Sequence, residues 1–303
     1  MTLPFHATRL LQWLQSALVG GLALALPAQA AEMSRGDGNG KLLLTAGVSS
    51  IDGAAGGGLV PWAVIGSYAA DGEIGATGFV TRAVTRDYRL TTWGAAVGLH
   101  DRLELSLARQ QFDASAVAPG ATLRLDIAGV KLKLAGDAVL DSDRWMPQLA
   151  AGLEFKRLHP GAAVGATLDA VGARRNGIDG YLSATKLLLA QGVLVNATLR
   201  ATRANQNGLL GFGAAGHHRY RLEPEISVAW LWRRDLAIGA EYRAKPDNLA
   251  FAGAAFREHD WKDLFIAWAP NKRVSVTAAW IALGNIAGHE RQTGAYLSVQ
   301  LAH

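Results

Sequence analysis

The chain has 303 residues, 50% of them hydrophobic, with 30 Lys plus Arg against 25 Asp plus Glu for a net charge of +5, and it has no cysteine. The missing cysteine excludes disulfides, thiolate metal ligands and a cysteine nucleophile. The basic residues are scattered along the chain and form no patch, which argues against nucleic acid as a partner.

In chain order, Met1 to Arg9 is positively charged, Leu10 to Leu26 is mostly apolar, and Pro27-Ala28-Gln29-Ala30 places small residues where a signal peptidase reads. This predicts a signal peptide over 1–30, cut before Ala31, and one domain over 31–303. Gly53 to Ala70 is uncharged, but five glycines and Pro61 make it a poor spanning helix. An exported chain without such a helix is either soluble or crosses the membrane as a closed barrel.

The remaining sequence favours the barrel. Tyr220, Leu222, Pro224, Ile226, Val228, Trp230 and Trp232 alternate with Arg221, Glu223, Glu225, Ser227, Ala229 and Leu231. A period of two sends successive side chains to opposite faces of a sheet, here one apolar and one largely polar. Strands are predicted at 41–49, 61–70, 73–84, 88–99, 102–112, 123–134, 145–157, 178–190, 193–204, 220–233, 235–244, 259–269, 272–284 and 291–303. Tight turns at Ala70-Asp71-Gly72, His100-Asp101-Arg102, Ala190-Gln191-Gly192, Arg233-Arg234-Asp235 and Pro270-Asn271-Lys272 fall on one side. The other side carries longer connections except at Arg86-Asp87, the asymmetry of an outer-membrane barrel. The fold class is therefore all-β: an antiparallel transmembrane β-barrel of about 14 strands. The alternative is 12 strands, with residues 31–60 entering the lumen as a plug.

Eight tryptophans outside the leader (Trp62, Trp93, Trp145, Trp230, Trp232, Trp261, Trp268 and Trp280) lie mostly near predicted strand ends, where aromatic belts meet headgroups. The last strand, with Gln292, Gly294, Leu297, Val299 and Leu301, resembles the terminal signal read by the barrel-assembly machinery, although it ends in His303 and not Phe.

Gly40-Lys41-Leu42-Leu43-Leu44-Thr45-Ala46-Gly47, followed by Gly53-Ala54-Ala55-Gly56-Gly57-Gly58-Leu59-Val60-Pro61-Trp62, resembles the start of an uncharacterised proteobacterial family of outer-membrane barrels, a domain of unknown function. The resemblance covers the whole mature chain. It implies a bacterial outer-membrane location and porin-like barrels, and brings no substrate or catalytic residue.

The polar-face residues Glu104, Lys131, Lys133, Glu154, Lys156, Arg200, Arg221, Glu223, Glu225, Glu241 and Arg243 are predicted to line the lumen. Charges on that wall need partners or water. No cofactor or metal set is read: Gly211-x-Gly213-x-x-Gly216 falls in a loop without a crossover helix, and His217-His218 reads as a solvated loop. The predicted function is a passive porin-like channel for small molecules and not an enzyme. The alternatives are a closed structural or surface-interaction barrel, a soluble periplasmic sandwich and an outer-membrane hydrolase; for the last, no Ser, His and carboxylate trio has motif spacing. The expected partners are outer-membrane lipid and lipopolysaccharide, the assembly machinery and a small solute.

Overall fold

Twelve of the alternating segments are barrel strands in the computed structural model, which describes residues 41–139 and 145–303. The expected leader and its cleavage site at Ala28-Gln29-Ala30 fall outside the described residues. A small hairpin comes first, β1 (Val48–Ser49) with β2 (Ala55–Gly56). The barrel strands follow: β3 (Ile74–Thr85), β4 (Arg89–Leu99), β5 (Leu103–Asp113), β6 (Thr122–Ala135), β7 (Gln148–His159), β8 (Asn176–Leu188), β9 (Val193–Thr202), β10 (Arg221–Arg233), β11 (Leu236–Arg243), β12 (Trp261–Asn271), β13 (Val274–Ala282) and β14 (Thr293–Ala302). One helix, α1 (Gly161–Ala170), stands in the β7–β8 connection, where the sequence suggested only a loop.

Each strand pairs antiparallel with its neighbour in sequence, and β14 closes the ring on β3, with Gly294 opposite Thr85 and Ala302 opposite Thr77. Closure leaves no unpaired edge, which is the condition for a sheet to sit in hydrocarbon. Burial alternates with a period of two along most strands, as in β5, where Leu105 and Leu107 face out while Glu104, Ser106, Ala108 and Gln110 face in. Leu153, Phe155, Ile226, Val228, Leu264, Ile266, Val299 and Leu301 continue the outward apolar band. Trp230, Trp232 and Trp268 face outward toward one rim, and Trp93 and Trp280 toward the other. An outward apolar band flanked by tryptophans is the surface of a transmembrane barrel.

The connections after β4, β8, β10 and β12 are tight. His100 and Asp101 both take positive φ, 54° and 48°, the pair of left-handed residues that a type I′ hairpin requires. These turns mark the end that is periplasmic in bacterial barrels. The opposite end carries the connections 114–121, 160–175, 203–220, 244–260 and 283–292.

The 12-strand alternative is the one observed, but its inner segment runs from Leu44 to Ser67, past the expected limit at residue 60, and residues 31–40 lie outside the described residues. The predicted strands at 41–49 and 61–70 do not join the barrel, and Ala70-Asp71-Gly72 leads into β3 instead of closing a hairpin. β3 already has both its partners, so no edge is left for an earlier strand. Every residue from Leu44 to Ser67 is buried, packed inside the barrel. A barrel of eight strands is just filled by its own side chains, whereas one of twelve is wider and takes a separate segment. Trp62 belongs to that segment and Trp261 faces inward, both 4% exposed, so neither is part of an aromatic belt.

Candidate functional site

Strand periodicity aims a set of ionisable side chains into the lumen from eight adjacent strands, β5 to β12. Glu104 and Lys131 stand opposite each other on β5 and β6, with Lys131 Nζ 3.1 Å from Glu104 Oε1. A second chain of charges crosses β7 to β11. Lys156 Nζ lies 2.9 Å from Asp179 and 3.1 Å from Glu154, and Glu154 meets Arg200 Nη1 at 2.7 Å. Arg200 Nε meets Glu225 at 2.5 Å, and Glu225 also meets Arg243 Nε at 3.1 Å. All of these side chains are at most 3% exposed. Ion pairs so fully desolvated hold only when every member is paired.

The segment 41–70 supplies the rest of the pairing. Asp52 Oδ2 accepts from Arg243 Nη1 at 2.9 Å, and Asp52 Oδ1 lies 3.6 Å from Lys156 Nζ. Glu104 accepts the amides of Ala55 and Gly66 at 3.1 and 2.7 Å, while Lys131 donates to the carbonyls of Ala55 and Val64, both at 2.9 Å. Glu241 Oε2 accepts the amides of Gly58 and Leu59 at 2.6 and 2.7 Å. Pro61 O accepts from Thr198 Oγ1 at 2.8 Å, and Ser49 Oγ donates to Gln300 Oε1 at 2.7 Å. A buried backbone outside any large sheet must find partners for its amides and carbonyls, and here many come from side chains of the wall. Gly57 lies against Glu241, where an added Cβ would overlap the carboxylate. Glu241 stands opposite Asp263, a second buried carboxyl group on the same stretch of wall.

The connection 203–220 folds inward from the long-loop end. Asn207 Oδ1 accepts from Lys156 and Arg243 Nη2 at 2.9 and 2.7 Å, and its Nδ2 donates to Asp52 at 2.7 Å. Gln206 holds the same connection to the loop 244–260: its amide donates to both oxygens of Glu258, at 2.8 and 3.0 Å, and its Oε1 accepts from Lys245 Nζ at 2.8 Å. Lys245 also pairs with Glu258 at 3.2 Å. Burial pushes the Glu258 carboxyl up to about 7, against the pull of Lys245, and lowers the Lys245 ammonium from its usual range. Beside this loop an apolar cavity of about 270 Å³ lies between α1, the 114–121 connection and Trp261. Its buried polar side chains are engaged: Thr85 Oγ1 donates to Gln292, Tyr88 OH to Ile286 O at 2.9 Å, and Gln206 Nε2 to Asn285 O at 2.9 Å, while the exposed Thr167 lies 3.5 Å from Ala163 O.

Of the residues named from sequence, Glu104, Lys131, Glu154, Lys156, Arg200, Glu225, Glu241 and Arg243 are brought together on the inner wall. Lys133 lies at the short-turn rim, 2.7 Å from Asp101 and 3.4 Å from Asp137. Glu223 is half-buried and Arg221 exposed at the long-loop end, away from the network. Glu223 sits opposite Arg200 in register, but the Arg200 guanidinium turns to Glu154 and Glu225. Asp179 and Asp263 were missed although their strand parity points inward. Asp52 was missed because nothing local marks a plug residue.

Solved structures with a similar fold include the KdgM porin, at 10% identity over 74% of this chain and 98% of that chain, with a TM-score of 0.44. The COG4313 outer membrane channel from Pseudomonas putida F1 is 11% identical over 78% and 97%, with a TM-score of 0.47. Outer membrane phospholipase A from Escherichia coli is 9% identical over 78% and 94%, with a TM-score of 0.41. No curated protein matches the chain significantly. The family model described as "Protein of unknown function (DUF3034)" matches residues 45–300, from inside the plug to the closing strand, and the chain belongs to that family.

Proposed function

We propose that this chain is an outer-membrane channel for small solutes whose passage is gated by residues 41–70 together with the 203–220 loop. The carrying observation is the way the plug is held. Its backbone is anchored largely by side chains of the wall, such as Glu104, Lys131 and Glu241, and each of these can exchange a plug amide or carbonyl for water once the plug moves. With the plug withdrawn, the same charges would line a wet path and select its ions. The role is transport, not catalysis. Residues 1–30 would act as the export leader, and the assembly machinery would read the last strand. On the outer face, Arg109, Asp126 and Arg157 form a row just above the apolar residues Leu107 and Phe155, where lipopolysaccharide phosphates would meet them.

The test uses the absence of native cysteine. Ser49→Cys with Gln300→Cys places one thiol on the plug and one on β14, to be bridged by a short bis-methanethiosulfonate, which joins both cysteines through disulfides with loss of sulfinate. Planar-bilayer recordings should show openings before bridging, their loss after it, and recovery on reduction. Equal conductance before and after bridging would remove the gate, and a parent chain that never conducts would leave the closed structural barrel.

A further inference from the structure

The cavity at the long-loop end has a composition unlike the rest of the interior. Below it the lumen is packed with ion pairs, yet none of the 21 residues that line it is Asp, Glu, Lys, Arg or His. Phe112, Leu123, Leu168, Leu210 and Ile286 form its body, contributed by two strands, α1 and two loops. All five are at most 8% exposed, so these apolar groups are held in place around a pocket that opens to solvent past the exposed Val117, Ala163 and Thr167. An apolar cavity of about 150 Å³ stays dry and takes benzene. One of about 270 Å³ has room for a two-ring aromatic or a short branched hydrocarbon.

Polarity within the cavity is equally selective. The side chains of Thr85, Tyr88 and Gln206 are committed to protein partners, so they offer little to a hydrophilic solute. Trp261 Nε1 is different: it is a buried donor with no acceptor among the described residues. A buried N–H without a partner destabilises the fold, and a ligand oxygen at that atom would remove that cost. A carboxylate or ammonium in the same space would lose its hydration with no countercharge on the lining.

We infer that this cavity is a binding site for an uncharged, compact hydrophobic molecule that carries one hydrogen-bond acceptor, taken by Trp261. As the first stop of a transported solute the site rests on the channel reading; as a binding site it stands without transport. The bound ring packs against Phe112 and Leu210, and its acceptor meets the indole N–H. Charged solutes lose their hydration with no charge on the lining itself; the nearby cation Lys245, 4.7 Å from the Trp261 ring centroid, is already paired with Glu258.

The experiment is equilibrium binding to the full chain in lipid nanodiscs, with naphthalene, 2-acetonaphthone and naphthalene-2-carboxylate as probes. Ala83→Phe and Ala118→Phe, each filling the cavity from a different side, serve as references that cancel uptake by lipid, and heat-modifiable gel migration shows which variants are folded. The parent should bind one 2-acetonaphthone saturably, both filled variants at least tenfold more weakly, and the carboxylate at least tenfold more weakly than the ketone. Trp261→Phe should bring the ketone down to the affinity of naphthalene. Uptake that is the same in the parent and a folded filled variant would overturn the site, and a carboxylate bound as well as the ketone would overturn its chemistry. Binding that persists when plug bridging leaves conductance unchanged would retain the site while removing the gate.

Discussion

Glu258 is the titratable group at the long-loop end whose charge state is set most clearly by its surroundings. Its carboxyl rises from an ordinary 4.5 to about 7 because it is buried, although Lys245 and the Gln206 amide hold it. A carboxyl raised on folding keeps its proton while the unfolded chain loses one, so the folded loop is favoured at low pH and that advantage is lost as pH rises from about 4.5 through 7. Amide exchange at Gln206 and through 244–260, corrected for intrinsic rate, should therefore be slower at pH 5 than at pH 7.5. Glu258→Gln should flatten that difference; a wild-type profile independent of pH would remove the effect.

At the same scale, the inward residues were legible because parity alone aims them. Glu154 and Lys156, two apart on β7, both reach the network. Their partner Asp52 was not legible, since a plug residue obeys no strand period and meets Arg243 across a separation of 191 positions.

Among the elements, the plug is the one whose sequence misleads. Leu42-Leu43-Leu44 and the apolar run from Leu59 to Ile65 have the composition of a strand, and only the absence of a free edge on β3 keeps them out of the sheet. The twelve barrel strands, by contrast, were read within about three residues at their ends, because lipid outside and a filled interior impose the same alternation on every one. The apolar cavity was invisible, being assembled from residues as distant as Ala83 and Ile286.

The glycine run of the plug carries the second prediction. Gly57→Val would drive a side chain into the Glu241 carboxylate and break the two hydrogen bonds that the Gly58 and Leu59 amides donate to it. Hydrogen bonds to a charged acceptor contribute about 1.5–3 kcal/mol each, so the open fraction in bilayer recordings should rise at least tenfold. If openings are no more frequent, Glu241 is not what holds the plug tip.

The whole molecule is filled on the inside and wrapped in hydrocarbon on the outside, so neither face of a strand is tolerant. Val228 is 41% exposed and faces lipid, where an arginine costs about 2–4 kcal/mol near the midplane. Ser227 faces inward at 0% exposure and donates to Glu241 at 2.5 Å. A wet lumen would have accepted Ser227→Arg; a packed one does not, so both Val228→Arg and Ser227→Arg should lower the yield of heat-modifiable barrel. Plug bridging should fail in any Ser227→Arg protein that does assemble, because its arginine occupies the place of Gly57 to Leu59. Normal bridging in that variant would show that the plug tip sits elsewhere.

The closing contact between β14 and β3 sets a timetable. The plug precedes every barrel strand in the chain, yet its partners are dispersed from Glu104 through Arg243 to Gln300, the last of them on the final strand. No partial sheet offers it a complete cradle, and contacts this remote in sequence are slow to form. Until the plug seats, the ion pairs of the inner wall stand open to water, and its arrival adds Asp52 and a buried backbone to them, so seating the plug is the event that dries the lumen. A chain halted between closure and seating would be a fully inserted barrel with its conduction path still standing open.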